Sequence, residues 1–231
     1  MKKIKIYGEI VYLISLIVIS FSVAMLTAVD YGISMIVAPA YILSQKLTFL
    51  TFGQCEYIIQ GILFILFCIL MKKVKPIYLV SFLTCLIYGL FLDLWRVLIP
   101  AFNPSITPVG SMETWVRITF FIVGNLLTSL SVALSFKAYI YPQVYDFFVR
   151  DVVYKYKLNT GLFKTLFDLT FLAIGVVLTL CFFGKFVGIK WGTIIIAVIN
   201  GSIITFFSNL YDRLFVTVPL FPKLQKLFRN E

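Results

Sequence analysis

The sequence predicts an all-α, polytopic membrane protein with six transmembrane helices, arranged as two inverted three-helix repeats that each include an interfacial or re-entrant helix. Composition gives the first reason: 61% of the 231 residues are hydrophobic and only 13% are charged, whereas a soluble chain carries roughly a quarter charged residues. The mean hydropathy of +1.01 is typical of a chain whose main solvent is lipid. The charged residues also divide the chain into apolar runs near the length of about 20 residues that a spanning helix needs.

The absence of histidine excludes several kinds of chemistry. Imidazole acid–base catalysis, histidine metal sites and Ser–His or Cys–His nucleophile pairs all require that residue. The four cysteines form no CxxC pair and lie in or beside apolar runs, so we expect them to pack in the core: Cys55, Cys68, Cys85 and Cys181. We therefore expect no enzyme activity, no metal and no cofactor.

Apolar runs between charged residues predict the six spans. They cover residues 10–29, 57–71, 76–92, 118–136, 169–184 and 191–211. Residues 31–52 and 138–160 are too polar to span and too apolar to lie in water. Each of these two segments is predicted to form an interfacial or re-entrant helix near Pro39 or Pro142. Their aromatic residues are predicted to lie at headgroup depth: Tyr41, Phe49, Phe52, Tyr139, Tyr141, Tyr145 and Phe147.

The basic residues predict how the chain is oriented. With six spans, 15 lysines and arginines fall on one side of the membrane and 5 on the other. Cytoplasmic loops carry the excess of these residues, so both termini are predicted to be cytoplasmic. The formal net charge of +10 is attributed to this bias, and we expect no nucleic-acid partner. Residues 213–231 are predicted to form an amphipathic tail on the inner leaflet.

Similar landmarks in the two halves suggest an internal duplication. Pro39 aligns with Pro142 at an offset of 103, Gly53 with Gly161 at 108, and Gly89 with Gly201 at 112. The predicted repeats are residues 1–112 and 113–212. Because each repeat has three spans, the second enters the membrane in the opposite direction. Inverted repeats of this kind are common in secondary transporters.

The two shortest apolar runs point to a binding site. Residues 57–71 and 169–184 are shorter than the hydrocarbon core, so each helix is predicted to begin earlier and carry polar residues into the membrane. In each helix two of these residues are spaced i,i+4 and share a face: Glu56 with Gln60, and Lys164 with Asp168. The alternative is structural, with Glu56 capping a helix and Lys164 pairing with Asp168.

Four further polar residues are candidates for contact with a solute or an ion. Asp93 and Arg96 are spaced i,i+3 at the end of the third span, where a structural ion pair is the alternative interpretation. Arg117 begins the fourth span on the same side, and with Arg96 it could form a cationic entrance for an anionic solute. Asn200 precedes Gly201 in the middle of the sixth span.

Small residues form a stripe on the first span. Ser20, Ala24 and Ala28 recur every fourth position, a pattern that permits close contact between helices. The contact is made either within the fold or with a partner membrane protein. The sequence leaves the oligomeric state open.

Several glycine and proline motifs over residues 8–212 resemble those of the YczE/YyaS/YitT group of bacterial integral membrane proteins. The matching segments are Asp30-Tyr-Gly-Ile-Ser34 followed by Pro39, Phe52-Gly53, Gly89-Leu-Phe-Leu-Asp93 and Gly192-Thr193. The resemblance implies a bacterial inner-membrane location and a transport-like fold. It implies little about biochemistry.

Two hypotheses for function follow. The first is a small-solute transporter or permease with a polar site between the repeats. The second is a substrate-capture subunit of an energised uptake complex, similar in size and span number to the S components of ECF vitamin importers, with the Ser20, Ala24 and Ala28 stripe facing the partner. A regulatory membrane protein without enzyme activity is a third alternative.

Overall fold

A computed structural model describes residues 3–72 and 75–229 of the chain. The elements in chain order are β1 (Ile4–Tyr7), α1 (Gly8–Val29), α2 (Ala38–Lys46), α3 (Phe52–Met71), α4 (Leu79–Leu98), α5 (Thr114–Ser135), α6 (Val144–Tyr156), α7 (Thr160–Phe183), α8 (Trp191–Leu214), β2 (Phe215–Val218) and α9 (Pro222–Arg229). Residues 73 and 74, between the second and third predicted spans, and residues 230 and 231 of the predicted tail lie outside the described ranges.

Six of these helices are long and apolar enough to cross a membrane, which confirms the predicted class. They are α1, α3, α4 with the short 3-10 turn before it, α5, α7 and α8. Helix α3 begins at Phe52 and α7 at Thr160, before their apolar runs, as predicted from the shortness of those runs. Thr51 caps α3 and Asn159 caps α7, each through a side-chain oxygen that accepts a backbone N–H.

The two halves have the same order of helices. Thr114 of α5 lies 106 positions after Gly8 of α1, and α6 begins 106 positions after α2. The corresponding offsets are 108 for α7 after α3 and 112 for α8 after α4. The prolines are not equivalent, however, because Pro39 is the second residue of α2 whereas Pro142 precedes α6. The division of the chain at residue 112 stays a prediction.

The most extensive helix contacts follow the same pattern in both halves, with one exception. Helix α1 packs on α5 at the centre, α4 packs on α1 as α8 packs on α5, and α2 packs on α7 as α6 packs on α3. Helix α3 also packs along α4, but within the described ranges α7 and α8 make no extended contact. This difference leaves a gap between α7 and α8.

The central position of α1 determines where its small residues lie. Ser20 and Ala24 are fully buried and Ala28 is nearly so. The Ser20 hydroxyl accepts a hydrogen bond from Trp95 Nε1 of α4 at 3.1 Å. The small-residue stripe therefore packs within the fold, which was the first of its two alternatives, and presents no surface to a partner.

The ends of the chain pair with each other, a feature that the sequence did not predict. Strands β1 and β2 form a parallel two-stranded sheet, with Ile4 beside Phe215. The first two residues of the predicted tail are therefore the end of α8, and they are followed by β2 and then by the short helix α9. The Glu9 carboxylate accepts hydrogen bonds from the Tyr139 hydroxyl and from the backbone N–H groups of Leu220 and Phe221. Burial, followed by the bond to Glu9, raises the pKa of Tyr139.

Most of the aromatic residues expected at headgroup depth are buried within the protein. Tyr141, Tyr145 and Phe147 are buried in a second core cluster formed by α3, α4, α6 and α7. Tyr41 and Phe52 are buried in the first cluster, around α1, while Phe49 is 77% exposed. These residues are buried because α2 and α6 pack against α7 and α3, and their depth in the membrane stays a prediction.

Candidate functional site

A cavity of about 610 Å³ lies between α7 and α8. Small-molecule sites commonly have volumes of about 300–1,000 Å³. Residues 33–37, the start of α6, and side chains of α1, α4 and α5 line the remaining sides. Most of the lining is apolar, and it includes Ile19, Val23, Leu26, Leu169, Ile196 and Ile204.

The cavity occupies a position that is closed in the other half of the molecule. Gly53 and Gly89 lie against each other and allow α3 and α4 to approach closely. Their aligned residues, Gly161 and Gly201, both line the cavity, and a methyl group on Gly201 would meet nothing within 4 Å. The same pair of glycines is therefore packed in one half and separated by open space in the other.

Three charged side chains line the cavity, and they lie close together. Lys164 Nζ is 3.0 Å from Asp168 Oδ1 and 3.9 Å from Asp146 Oδ1. Among the described residues these are the only charged groups in the lining, and each keeps roughly a quarter to a third of its side chain exposed. The Lys164–Asp168 ion pair is present as its i,i+4 spacing suggested, and Asp146 adds a second carboxylate. Two carboxylates thus share one ammonium group.

Glu56 and Gln60 lie behind the cavity wall and do not line it. Both side chains are fully buried. Glu56 Oε2 accepts hydrogen bonds from Gln60 Nε2 and from the Tyr145 hydroxyl, each at 3.0 Å. Gln60 Nε2 also donates to Gln143 Oε1 at 3.1 Å, and Gln60 Oε1 accepts from the Val144 backbone N–H at 3.2 Å. Glu56 is therefore held by side chains rather than capping a helix in the interface.

Helix α6 connects this buried network to the cavity. Gln143 and Tyr145 bind Gln60 and Glu56 and also line the cavity, while the next residue, Asp146, faces Lys164. Burial, and after it the Glu56 carboxylate, raises the pKa of Tyr145 well above its usual value, so the phenol remains a hydrogen-bond donor. The sequence did not assign Gln143, Tyr145 or Asp146 to the site, because the candidates were polar residues within the predicted spans or near their ends, whereas these three lie in the segment 138–160.

The candidates at the end of the third span lie away from the cavity. Asp93 accepts hydrogen bonds from the Thr51 hydroxyl at 2.5 Å and from the Gly53 backbone N–H at 2.9 Å, so it holds the start of α3. Asp93 does not form the suggested ion pair with Arg96, and the Arg96 guanidinium lies 5.5 Å from the centre of the Phe52 ring. Neither residue lines the cavity.

Arg117 is also engaged elsewhere. Its Nε donates to the backbone carbonyl of Val29 at 2.8 Å, and its guanidinium lies 4.3 Å from the centre of the Tyr31 ring. Arg117 therefore binds the carboxyl end of α1 and does not line the cavity. The cationic entrance expected from Arg96 and Arg117 does not open into this cavity.

Asn200 does line the cavity, beside Gly201. Its Oδ1 accepts a hydrogen bond from the Ser129 hydroxyl of α5, which fixes the orientation of the side chain. The amide group is thereby held at the α8 side of the cavity. In the described ranges, no group of three or more cysteine, aspartate or glutamate side chains is arranged to hold a metal ion.

Two of the motifs noted in the sequence, Asp30-Tyr-Gly-Ile-Ser34 and Gly192-Thr193, contact each other in the structure. The Gly192 backbone N–H donates to the Tyr31 carbonyl at 2.8 Å, and Gly32, at a φ of 111°, lies against Thr193. An ion pair of 2.6 Å between Lys190 and Asp30 joins the same two segments. These contacts hold residues 33–37 at the cavity, so the motifs position the site without contributing its charged groups.

The structure is that of a polytopic membrane protein with six helices able to span a membrane and a mostly apolar cavity between two of them, α7 and α8. Residues 6–209 match a family described as a family of unknown function (DUF6198), and the chain belongs to that family. No curated protein and no solved structure matches the chain. The family match neither confirms the resemblance to the YczE/YyaS/YitT group nor conflicts with it.

Proposed function

We propose that this protein is a small-solute transporter of a bacterial inner membrane, and that the solute binds in the cavity between α7 and α8. The proposal rests on the difference between the two halves. Gly53 and Gly89 are packed together, while the aligned residues Gly161 and Gly201 both line the cavity. A protein made of inverted repeats can change access by exchanging the conformations of its halves. In the other state α7 and α8 close while α3 and α4 separate.

The charged groups support a binding role. Ionisable side chains within a membrane are costly unless they pair or face water, and they commonly mark solute or ion pathways. Lys164 pairs with both Asp146 and Asp168, and all three side chains line the cavity and are partly exposed. No observation favours the energised-complex alternative, because the Ser20, Ala24 and Ala28 stripe is buried.

A cysteine pair can test closure of α7 on α8. The Tyr57 hydroxyl donates to the Leu86 carbonyl at 3.0 Å where α3 packs on α4. At the helix offsets of 108 and 112, Tyr57 aligns with Thr165 of α7 and Leu86 aligns with Val198 of α8. Thr165 and Val198 both line the cavity. In a protein with Cys68 and Cys181 replaced by serine, the Thr165→Cys/Val198→Cys pair should cross-link as the closed state forms. The matched control is Leu166→Cys/Val198→Cys, since Leu166 does not line the cavity.

Uptake is measured with the same variants. Membrane vesicles that contain the protein are incubated with a small-molecule extract of the expression host, and mass spectrometry identifies the compounds that accumulate inside. We expect at least one compound to accumulate with the wild-type protein, to be lost after cross-linking of the Thr165→Cys/Val198→Cys pair, and to persist with the control pair. Accumulation equal to that of vesicles without the protein would contradict the proposed function.

A further inference from the structure

We infer that the ligand of this cavity is an amphipathic organic molecule with a single positive charge, which enters sideways from the bilayer between α7 and α8. The inference rests on the proposed function for the location of the site. It adds the chemical class of the ligand and its route of entry.

The charge of the lining favours a cation. Asp146 and Asp168 provide two negative charges and Lys164 provides one positive charge, which leaves a formal charge of −1 among the described lining residues. At a membrane depth where water is scarce, an unmatched charge is most stable beside an opposite one. The lining therefore does not support the anionic solute that Arg96 and Arg117 suggested, since neither arginine reaches the cavity.

The uncharged part of the lining favours an apolar, bulky ligand. Aliphatic side chains of α1, α7 and α8 cover most of the walls, and three aromatic rings join them, those of Tyr88, Phe136 and Tyr145. The faces of aromatic rings attract organic cations by cation–π interaction. A small inorganic ion would leave most of this apolar surface without a partner.

The gap between α7 and α8 gives the ligand a route from the lipid. The two helices make no extended contact in the part of the chain that the structure describes. Leu166 of α7 and Ile194 of α8 do not line the cavity and are 54% and 67% exposed, so each helix also has an apolar surface outside the cavity. Exposed apolar side chains on the outside of spanning helices face acyl chains, so the gap between α7 and α8 leads to the bilayer interior.

Two ions of the same shape and opposite charge test the inference. Tetraphenylphosphonium and tetraphenylborate are titrated into the protein in lipid nanodiscs, and the signal from empty nanodiscs is subtracted to remove partitioning into lipid. We expect saturable binding of the phosphonium and none of the borate. Asp168→Asn should weaken phosphonium binding about tenfold, the size of effect expected when one nearby charge is removed at a half-buried position.

Charge variants separate this effect from loss of structure. Asp146→Asn/Asp168→Asn leaves only the Lys164 ammonium in the cavity, so this variant should prefer the borate, while Lys164→Gln should bind the phosphonium more tightly. A damaged fold would instead weaken binding of both ions. The matched control is Asp151→Asn, on the same helix as Asp146 but paired with Arg150 and absent from the lining, which should leave the phosphonium Kd unchanged.

Two results would overturn the inference. One is a wild-type protein that binds the borate preferentially or shows no saturable binding of the phosphonium. The other is phosphonium binding that is the same in Asp168→Asn, Lys164→Gln and the wild type. Either result leaves the cross-linking and uptake outcomes as they stand, because those measurements use neither ion. Failure of the ligand class is thereby distinguished from failure of the transporter proposal.

Discussion

The backbone carbonyl of Gly89 lies directly against Gly53, so that a methyl group at position 53 would overlap it. The ring of Tyr57 covers Gly89 in the same way. These contacts bring α3 and α4 together at the point where α3 begins. Helix α4 continues beyond Gly89 for nine residues to Leu98, about 13 Å at the rise of an α-helix. The start of α3 therefore lies well inside the length of α4.

Alanine at the four glycines should affect stability differently in the two halves. Gly53→Ala and Gly89→Ala should each lower the free energy of unfolding by about 1–3 kcal/mol, because the added methyl groups overpack the contact. The added methyl group has open space at Gly201 and makes only an ordinary van der Waals contact at Gly161, with Asn159 Oδ1 at 3.5 Å. The higher helix propensity of alanine should therefore leave stability unchanged or raise it by up to about 1 kcal/mol. Thermal unfolding in one detergent, followed by intrinsic fluorescence, compares all four variants.

The four results together test the asymmetry between the halves. Equal destabilisation by Gly201→Ala and Gly89→Ala would mean that α7 and α8 are as closely packed as α3 and α4. The cavity would then be absent from the predominant state in detergent.

Removing the Tyr145 hydroxyl should destabilise the fold. Glu56 is fully buried, its Oε1 has no hydrogen-bond partner, and Tyr145 is one of two side-chain donors to its Oε2. Loss of a donor to a buried carboxyl group costs about 1–3 kcal/mol, so Tyr145→Phe should lower the unfolding temperature. Tyr154→Phe on the same helix is the control, because Tyr154 is 85% exposed. An equal unfolding temperature for both variants would mean that the bond to Glu56 contributes no stability.

The spans could be predicted from the sequence because lipid selects apolar residues over a fixed length. The charged residues that bound the runs marked the approximate ends of each helix, and the shortness of 57–71 and 169–184 indicated the early starts of α3 and α7. The Lys164–Asp168 pair could also be predicted, since i,i+4 spacing brings two side chains together on any helix. These features are local in the sequence.

The contacts that complete the site are not local. Tyr145 reaches Glu56 from 89 positions away, and nothing in the residues around either one specifies the other. The same holds for β1 and β2, which are four residues long and pair Ile4 with Phe215. Asp93 and Arg117 are charged residues at the ends of spans, and their position suggested a binding role. In the structure, Asp93 instead binds the start of α3 and Arg117 binds the carboxyl end of α1. These roles depend on the packing of α6 and α4 on α3 and of α5 on α1.

Both termini should lie on the cytoplasmic side. The pairing of β1 with β2 places the two ends of the chain on one side of the membrane, and the bias of 15 to 5 basic residues predicts which side that is. A C-terminal fusion to green fluorescent protein should fluoresce in a bacterial host, and a C-terminal fusion to alkaline phosphatase should be inactive. Fusions of both reporters within residues 103–111, between α4 and α5, should give the opposite pair of results. Active phosphatase at the C-terminus would reverse the predicted orientation.

Glu9 should control how tightly the carboxyl-terminal segment is held. Its carboxylate accepts hydrogen bonds from the backbone N–H groups of Leu220 and Phe221 at 2.9 Å, and it also accepts one from the Tyr139 hydroxyl. Glu9→Ala removes the carboxylate that accepts both backbone hydrogen bonds. Because each bond contributes about 1 kcal/mol, the amides of Leu220 and Phe221 should exchange with deuterium about fivefold faster or more. Tyr139→Phe is the control, since it removes only the hydroxyl donor and leaves both backbone bonds in place. If Tyr139→Phe accelerates exchange at these amides as much as Glu9→Ala does, the segment is held through the tyrosine and not through the carboxylate.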